Sequence, residues 1–313
     1  MKNPVRAVSA LLLLILSAGC LLLLTEMIRR DSAADWKAGW LAWKRGDYAA
    51  ALECWNGSLA AEPFAIRPAR LSYWKIRALE KLGRRREAEL AASLLALRHP
   101  LDFYSFVLAY EGRYPKLTEA AARAKASSPY PRGWRDEVAE ASTRTGVPQD
   151  ILYALILKES KFKEKAVSRA GAVGLMQLMP PTAREAAARL KEEGLSPYKP
   201  SHNVMLGATH FAYLAEKFHG RLPLAVAAYN AGASAVSGWK IDTAENWVEW
   251  IEDIPYPQTR EYVRSVLENL EVYSAGSGTA ARRSFFAEAA KPILRHFAQE
   301  ARGKRRIIKE EWQ

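Results

Sequence analysis

The sequence predicts an all-α protein: a region of repeated helical hairpins, then a mainly α domain, preceded by an apolar N-terminal helix able to cross a membrane. Three observations lead there. Between Ala33 and Pro100 helical patterning recurs with a 37-residue period. From Trp134 to Tyr273 apolar residues keep helical spacing, and no alternating strand pattern of useful length interrupts them. Near the N-terminus, Ala7 to Thr25 is uncharged over nineteen residues, just enough for a bilayer-spanning helix.

Lys2 and Arg6 flank that run on its short side, which orients the short end to the cytoplasm; Arg29 and Arg30 beyond it oppose this. A cleaved signal would have a shorter apolar core and a nearby small-residue site, whereas the candidate at Ser32 to Ala34 lies far downstream. The stretch LSAGC ending at Cys20 has the look of a lipoprotein signal, but Ser17 stands where an aliphatic residue is preferred, and four more leucines follow the cysteine. An uncleaved anchor over 1–30 is therefore expected, in the inner (cytoplasmic) membrane, with the bulk of the chain on the envelope side.

In the repeat region, 31–126, Trp36 and Tyr73, Gly46 and Gly83, Ala51 and Ala88, and Pro63 and Pro100 each recur after 37 residues. They read as two helix-turn-helix units with glycine at each inner turn. Trp36, Trp40 and Trp43 share one helix face, the spacing that packing against a neighbouring helix requires; a ligand platform is the other reading. Two such units seldom bury a stable core alone, so Leu101 to Gly112 and Leu117 to Ala126 are expected to extend the stack. The prolines of SSPYPR mark a linker at 127–133, a second domain follows over 134–276, and a tail occupies 277–313. From Arg282 onward that tail carries nine Lys or Arg against four Asp or Glu, with aromatic and aliphatic residues interleaved. It suits either an amphipathic helix on an anionic membrane or a helix packed on its own domain.

With 46 basic against 34 acidic residues, a formal charge of +12 and a pI near 9.6, the chain suits a polyanionic partner: nucleic acid, anionic lipid or an acidic wall polymer. No nucleic-acid motif accompanies the basic residues and the N-terminus is apolar, so nucleic acid is set aside. Two cysteines, Cys20 and Cys54, give no disulfide framework. The five histidines have no chelating spacing, so neither a metal nor another cofactor is expected.

Chemistry concentrates in the second domain. LYALILKESKF places Glu159 at the end of a helix rich in Leu and Ile, where an apolar wall raises a carboxyl pKa by withholding hydration. SRAGAVGLMQLMPPTA, Ser168 to Ala183, combines Gly171 and Gly174 with apolar residues and the amide of Gln177, pieces that suit a sugar groove. AVAAYNAGASAV adds Tyr229 and Asn230.

ESKF, GAVGLMQLMPPTA and AAYNAG, in this order over roughly Trp134 to Tyr273, resemble the soluble-lytic-transglycosylase domain, a fold related to goose-type lysozyme. The stretch SYWKIRALEKLGRRREAE is similar to tetratricopeptide-type repeats. The resemblance implies that Glu159 is the catalytic acid and base, that Ser168 orients the N-acetyl group of a muramyl sugar, and that Met176 and Gln177 belong to the glycan groove. It implies that Tyr229 and Asn230 face the glutamate. In EDIPYPQTREYV, Glu252, Arg260 and Tyr262 fit the family's pattern, and Gln258 stands where the nearest branch carries Glu, which removes a local ion pair or stem-peptide contact. Glu252 and Tyr262 are accordingly expected to contact substrate. The activity implied is non-hydrolytic cleavage of the bond between N-acetylmuramic acid and N-acetylglucosamine in periplasmic peptidoglycan. Partners would be the glycan strands, the inner membrane and, through the repeats, a cell-wall or division protein. An inactive glycan-binding scaffold and a lysozyme-like hydrolase are the alternatives.

Overall fold

A computed structural model of the chain describes residues 34–59, 68–128, 130–239, 244–275 and 285–289. The expected anchor at 1–30, Cys20 and most of the basic tail lie outside them. No helix among the described residues is long and apolar enough to cross a membrane. The chain divides into two compact units, Met1–Ala120 and Ala121–Gln313.

The first unit is built from helical hairpins. Helix α1 (34–44) pairs with α2 (Tyr48–Leu59), α3 (Pro68–Lys81) with α4 (Arg85–Arg98), and α5 (Phe103–Tyr110) leads into α6 (Pro115–Ala126). The repeat glycines sit where the period places them: Gly46 and Gly83, at φ 78° and 73°, make the inner turns in a left-handed conformation that glycine adopts without steric cost. Their repeat partners Ala51 and Ala88 are buried, because only a small side chain fits where one helix crosses its neighbour. The tryptophans pack as core. Trp40 and Trp43 meet Trp74 at ring-centroid distances of 4.8 and 5.0 Å, Trp36 stacks on Trp55 at 5.6 Å, and Trp55 and Trp74 are fully buried. Helix α5 starts at a cap, with the Asp102 carboxylate accepting from the Tyr104 N–H at 2.9 Å. A polar network fastens α3 to the segment after α5: Arg77 pairs with Glu80 and Glu111, and the Tyr114 hydroxyl donates to Glu80 at 2.6 Å.

In the second unit, α7 (Arg135–Thr145) begins one residue later than the periodicity predicts, because Trp134 takes a left-handed conformation at φ 58°. Helix α8 (Gln149–Ser160) buries Ile151 through Ile156 and packs on α14 (Pro257–Ala275). Around this pair lie α9 (Pro180–Leu190), α10 (Pro200–Lys217), α11 (Leu222–Ala231), α12 (Ala233–Ser237) and α13 (Trp247–Asp253), with α15 (Phe285–Ala289) last. Three of these open on proline in the first turn, where its missing N–H costs nothing. Extended structure among the described residues amounts to isolated bridges joining Val173 to Val167 and to Leu178.

In the segment expected as a linker, Pro131 and Arg132 are bonded within the second unit. Pro131 leaves a carbonyl that accepts from the Tyr273 hydroxyl at 2.7 Å. The Arg132 guanidinium lies 5.2 Å from both the Tyr153 and Tyr273 rings, donates to the Tyr273 carbonyl at 2.7 Å and pairs with the buried Asp150 at 3.3 Å. Removing that cation strands a carboxylate in the core, a change that costs several kcal/mol when the pair is fully buried. Because Arg132 is partly exposed, Arg132→Ala is expected to lower unfolding free energy by about 2–3 kcal/mol in urea titration; an unchanged midpoint would refute the clamp.

Candidate active site

Glu159 is the penultimate residue of α8, seated between that helix and α14. The Tyr262 hydroxyl, from the buried face of α14, donates to Glu159 Oε1 at 2.5 Å. Burial pushes the Glu159 carboxyl up to about 7, against the downward pull of the Tyr262 hydrogen bond and of the neighbouring Lys158 ammonium. Desolvation prevails because an ionised oxygen in this setting loses more hydration than one hydroxyl and one partly buried cation return. Lys158 is itself held on α14, its Nζ 3.1 Å from Ser265 Oγ. Among the described residues no second carboxylate acts on Glu159. Tyr229 and Tyr262 have their own ionisation driven well upward, chiefly by burial and then by the nearby Glu159 charge, so both hydroxyls stay neutral donors.

Immediately after the glutamate the backbone turns sharply. Lys161 and Phe162 are left-handed at φ 52° and 63°, conformations rare for residues with a Cβ. The loop then folds on itself: the Ser168 N–H donates to the Ala172 carbonyl at 2.9 Å, and Ser168 Oγ accepts from the Ala172 N–H at 3.0 Å. That leaves the hydroxyl hydrogen of Ser168 for another acceptor.

Three residues expected to meet substrate have different work. Met176 is fully buried under Gly207, where an added Cβ would sit 2.8 Å from the Met176 Cβ. Its contribution is backbone, since its carbonyl accepts from the Tyr229 hydroxyl at 3.0 Å. Glu252 is buried and faces Arg264 at 3.7 Å, linking α13 to α14. Gln177, left-handed at φ 47°, spends its amide nitrogen on the carbonyls of Ala166 and Gly174 at 3.0 and 2.9 Å. All three are engaged within the fold, and motif residues that hold a site in place look like those that touch a ligand in sequence. Asn230 accepts from Thr259 Oγ1 at 2.8 Å, which ties the end of α11 to the start of α14. The structure thus gathers Glu159, Tyr229 and Tyr262, while Ser168 and Asn230 are positioned by their own local bonds.

Sequence reasoning missed Asn203. It is fully buried in α10, accepts from the Met176 N–H at 2.8 Å, and donates to the carbonyls of Val173 and Pro197 at 2.9 and 2.8 Å. The available signal was an amide inside the otherwise apolar helical run NVMLG. Gly174 faces it at φ 78°, with the position of a Cβ only 2.6 Å from Asn203 Cγ. Gly171 is also left-handed, at φ 87°, but an added Cβ there meets nothing within 4 Å. Gly171→Ala should therefore cost about 1 kcal/mol of backbone strain, whereas Gly174→Ala adds overlap with a buried staple and should cost about 3 kcal/mol. Thermal unfolding of the two variants checks this, and equal losses would show that the staple is not rigid.

In fold, the chain resembles the 70 kDa soluble lytic transglycosylase of Escherichia coli, with a TM-score of 0.62, 20% identity, and coverage of 86% of this chain and 54% of that one. It also resembles the lytic transglycosylase Slt of Pseudomonas aeruginosa, with a TM-score of 0.59, 22% identity, and coverage of 79% and 54%. Residues 136–247 match the transglycosylase SLT domain. The soluble lytic murein transglycosylase of Escherichia coli K12 is 31% identical over 144 residues, 44% of this chain and 22% of the relative. The membrane-bound lytic murein transglycosylase C of Haemophilus influenzae is 29% identical over 111 residues, 32% of this chain and 31% of the relative. The alignment to the first of these curated relatives thus spans about a fifth of its length. The family match ends before Tyr262, so the residue bonded to Glu159 lies beyond it.

Proposed function

We propose that the protein is a peptidoglycan lytic transglycosylase whose single acid, Glu159, cleaves between N-acetylmuramic acid and N-acetylglucosamine. The observation that carries this reading is the half-buried carboxyl, bonded by the Tyr262 hydroxyl, its pKa raised to about 7, with no second carboxylate among the described residues acting on it. A lone acid poised at working pH suits a substrate-assisted mechanism, in which the sugar supplies the group that a second carboxylate provides in most glycosidases. The similar proteins from Escherichia coli and Haemophilus influenzae are lytic murein transglycosylases by name, which supports the substrate class. So does the Pseudomonas aeruginosa Slt, in which a Glu-to-Gln variant is inactive.

With Oε1 accepting from Tyr262, the proton of the neutral acid sits on the other oxygen, free for transfer to the glycosidic oxygen as the bond to muramyl C1 breaks. The muramyl acetamido oxygen, oriented by the Ser168 hydroxyl, stabilises the positive charge at C1. The ionised Glu159 then takes the proton of the muramyl C6 hydroxyl while O6 bonds to C1. This closes a 1,6-anhydro ring, consumes no water and restores the acid. Mass spectrometry of digested sacculi tests the reading. Anhydromuropeptides are the expected products; reducing ends would indicate a hydrolase, and intact sacculi a glycan-binding scaffold.

The proposed setting is the periplasmic face of the inner membrane, with the uncharged run at 7–25 as anchor; its length supports this. The hairpins of the first unit are proposed to hold a cell-wall or division protein, since stacked helical repeats offer an extended surface for partners.

A further inference from the structure

We propose that the loop 161–169 is a binding surface for carboxylates of the peptide stems on the glycan strand. This rests on the reading that peptidoglycan is the substrate. Within nine residues the loop sets Lys161, Lys163, Lys165 and Arg169 against one acid, Glu164, and all four cations are exposed. None of the four takes part in an ion pair or hydrogen bond of its side chain among the described residues. Other basic residues of the same unit are used in folding: Arg132 pairs with Asp150, Arg144 with Glu192, Arg264 with Glu252 and Glu261, and Lys158 binds Ser265. The charge of this loop is left over once folding is satisfied.

The backbone that carries it is pinned. The Lys163 N–H donates to the Ser160 carbonyl at 3.1 Å and the Ala166 N–H to the Lys163 carbonyl at 3.1 Å; the Ala166 carbonyl accepts from the Gly174 N–H at 2.9 Å and from the Gln177 amide at 3.0 Å. A solvated charge run has no need of such bracing, whereas a preorganised one saves ordering entropy on binding. The surface also abuts the chemistry at both ends. Lys161 is two residues from Glu159, the Lys163 Cα is at most about 15 Å of chain from the Glu159 Cα, and Arg169 adjoins Ser168. At physiological salt a charge is felt over about 8 Å, so these cations would act on groups that lie against the loop. The sugars of the strand are uncharged, and where a lactyl group is amide-linked to a peptide the remaining anions are the carboxylates of that peptide. Three of the four cations are lysines, point charges on flexible stems. They suit carboxylates of variable position better than a single bidentate ligand.

The test uses the full chain in detergent. Binding of Glu159→Gln, with and without Lys163→Ala and Lys165→Ala, is measured by co-sedimentation with intact sacculi and with glycan stripped of peptides by an amidase. Exposed ion pairs are each worth a factor of a few in affinity. Loss of the two lysines is therefore expected to weaken binding to peptide-bearing strands about five-fold, and binding to stripped strands less than two-fold. Equal losses on both, or none on either, would overturn the proposal. So would a loss seen instead in flotation with phosphatidylglycerol vesicles, which would assign the loop to lipid. Product analysis with the wild type, run separately, reports on cleavage itself, so failure of the peptidoglycan reading stays distinguishable from failure of the loop.

Discussion

Replacing Glu159 by Gln is expected to reduce release of anhydromuropeptides from sacculi by about a thousand-fold or more, the scale on which a positioned acid-base group acts. The amide can still accept from the Tyr262 hydroxyl, which now meets it at 2.5 Å on Oε1, so the loss would come from the missing proton and not from collapse of the site. Stability should move the other way. In the unfolded chain the carboxyl ionises near its ordinary 4.5, and in the folded protein burial delays this to about 7. Below pH 4.5 both states are protonated and nothing is lost. As pH climbs from 4.5 to 7 the unfolded state sheds its proton first, and the folded state falls behind by about 3 kcal/mol, a deficit that stays constant at higher pH. Gln carries no such deficit. Urea unfolding should therefore find the variant close to wild type near pH 4 and more stable by up to about 3 kcal/mol at pH 8. Parallel stability profiles for the two proteins would mean that the group is hydrated and the active-site assignment wrong.

Tyr262→Phe is expected to move the pH profile. The hydroxyl at 2.5 Å favours the ionised carboxylate and so works against burial. Its removal leaves desolvation opposed by Lys158 alone, and the carboxyl ionises at higher pH. In the proposed mechanism the free enzyme needs the neutral acid, so the alkaline limb of kcat/KM, expected near 7 in the wild type, should shift upward. At neutral pH the rate should fall about 10- to 100-fold because the carboxyl loses the bond that aims it. Tyr229→Phe offers a matched comparison: its hydroxyl bonds the Met176 carbonyl and not the carboxyl, so its limb should move less. A slow Tyr262→Phe enzyme with an unmoved limb would make Tyr262 a packing residue only.

Much of this site is legible from residues because local patterns specify it. An apolar run closed by Glu159 gives both the helix and the burial that protects the proton, and the 37-residue period gives the hairpins and their turn glycines. The linker, by contrast, reads from its prolines only as a boundary, yet Pro131 supplies one carbonyl and Arg132 a guanidinium to Tyr273, about 140 positions away. No local pattern announces such partners.

The sequence by itself determined the helices and the repeat and singled out the candidate acid, since periodicity, turn glycines and motif order act over short stretches of chain. Only the tertiary structure decided what each motif residue does. It brought Tyr262 from α14 onto Glu159, sent Met176 and Glu252 into the core, and made Asn203 the staple of a loop some thirty residues earlier. The physical reason is that hydration and hydrogen-bond partnership, which set a carboxyl's proton affinity and a side chain's availability, depend on which helices meet.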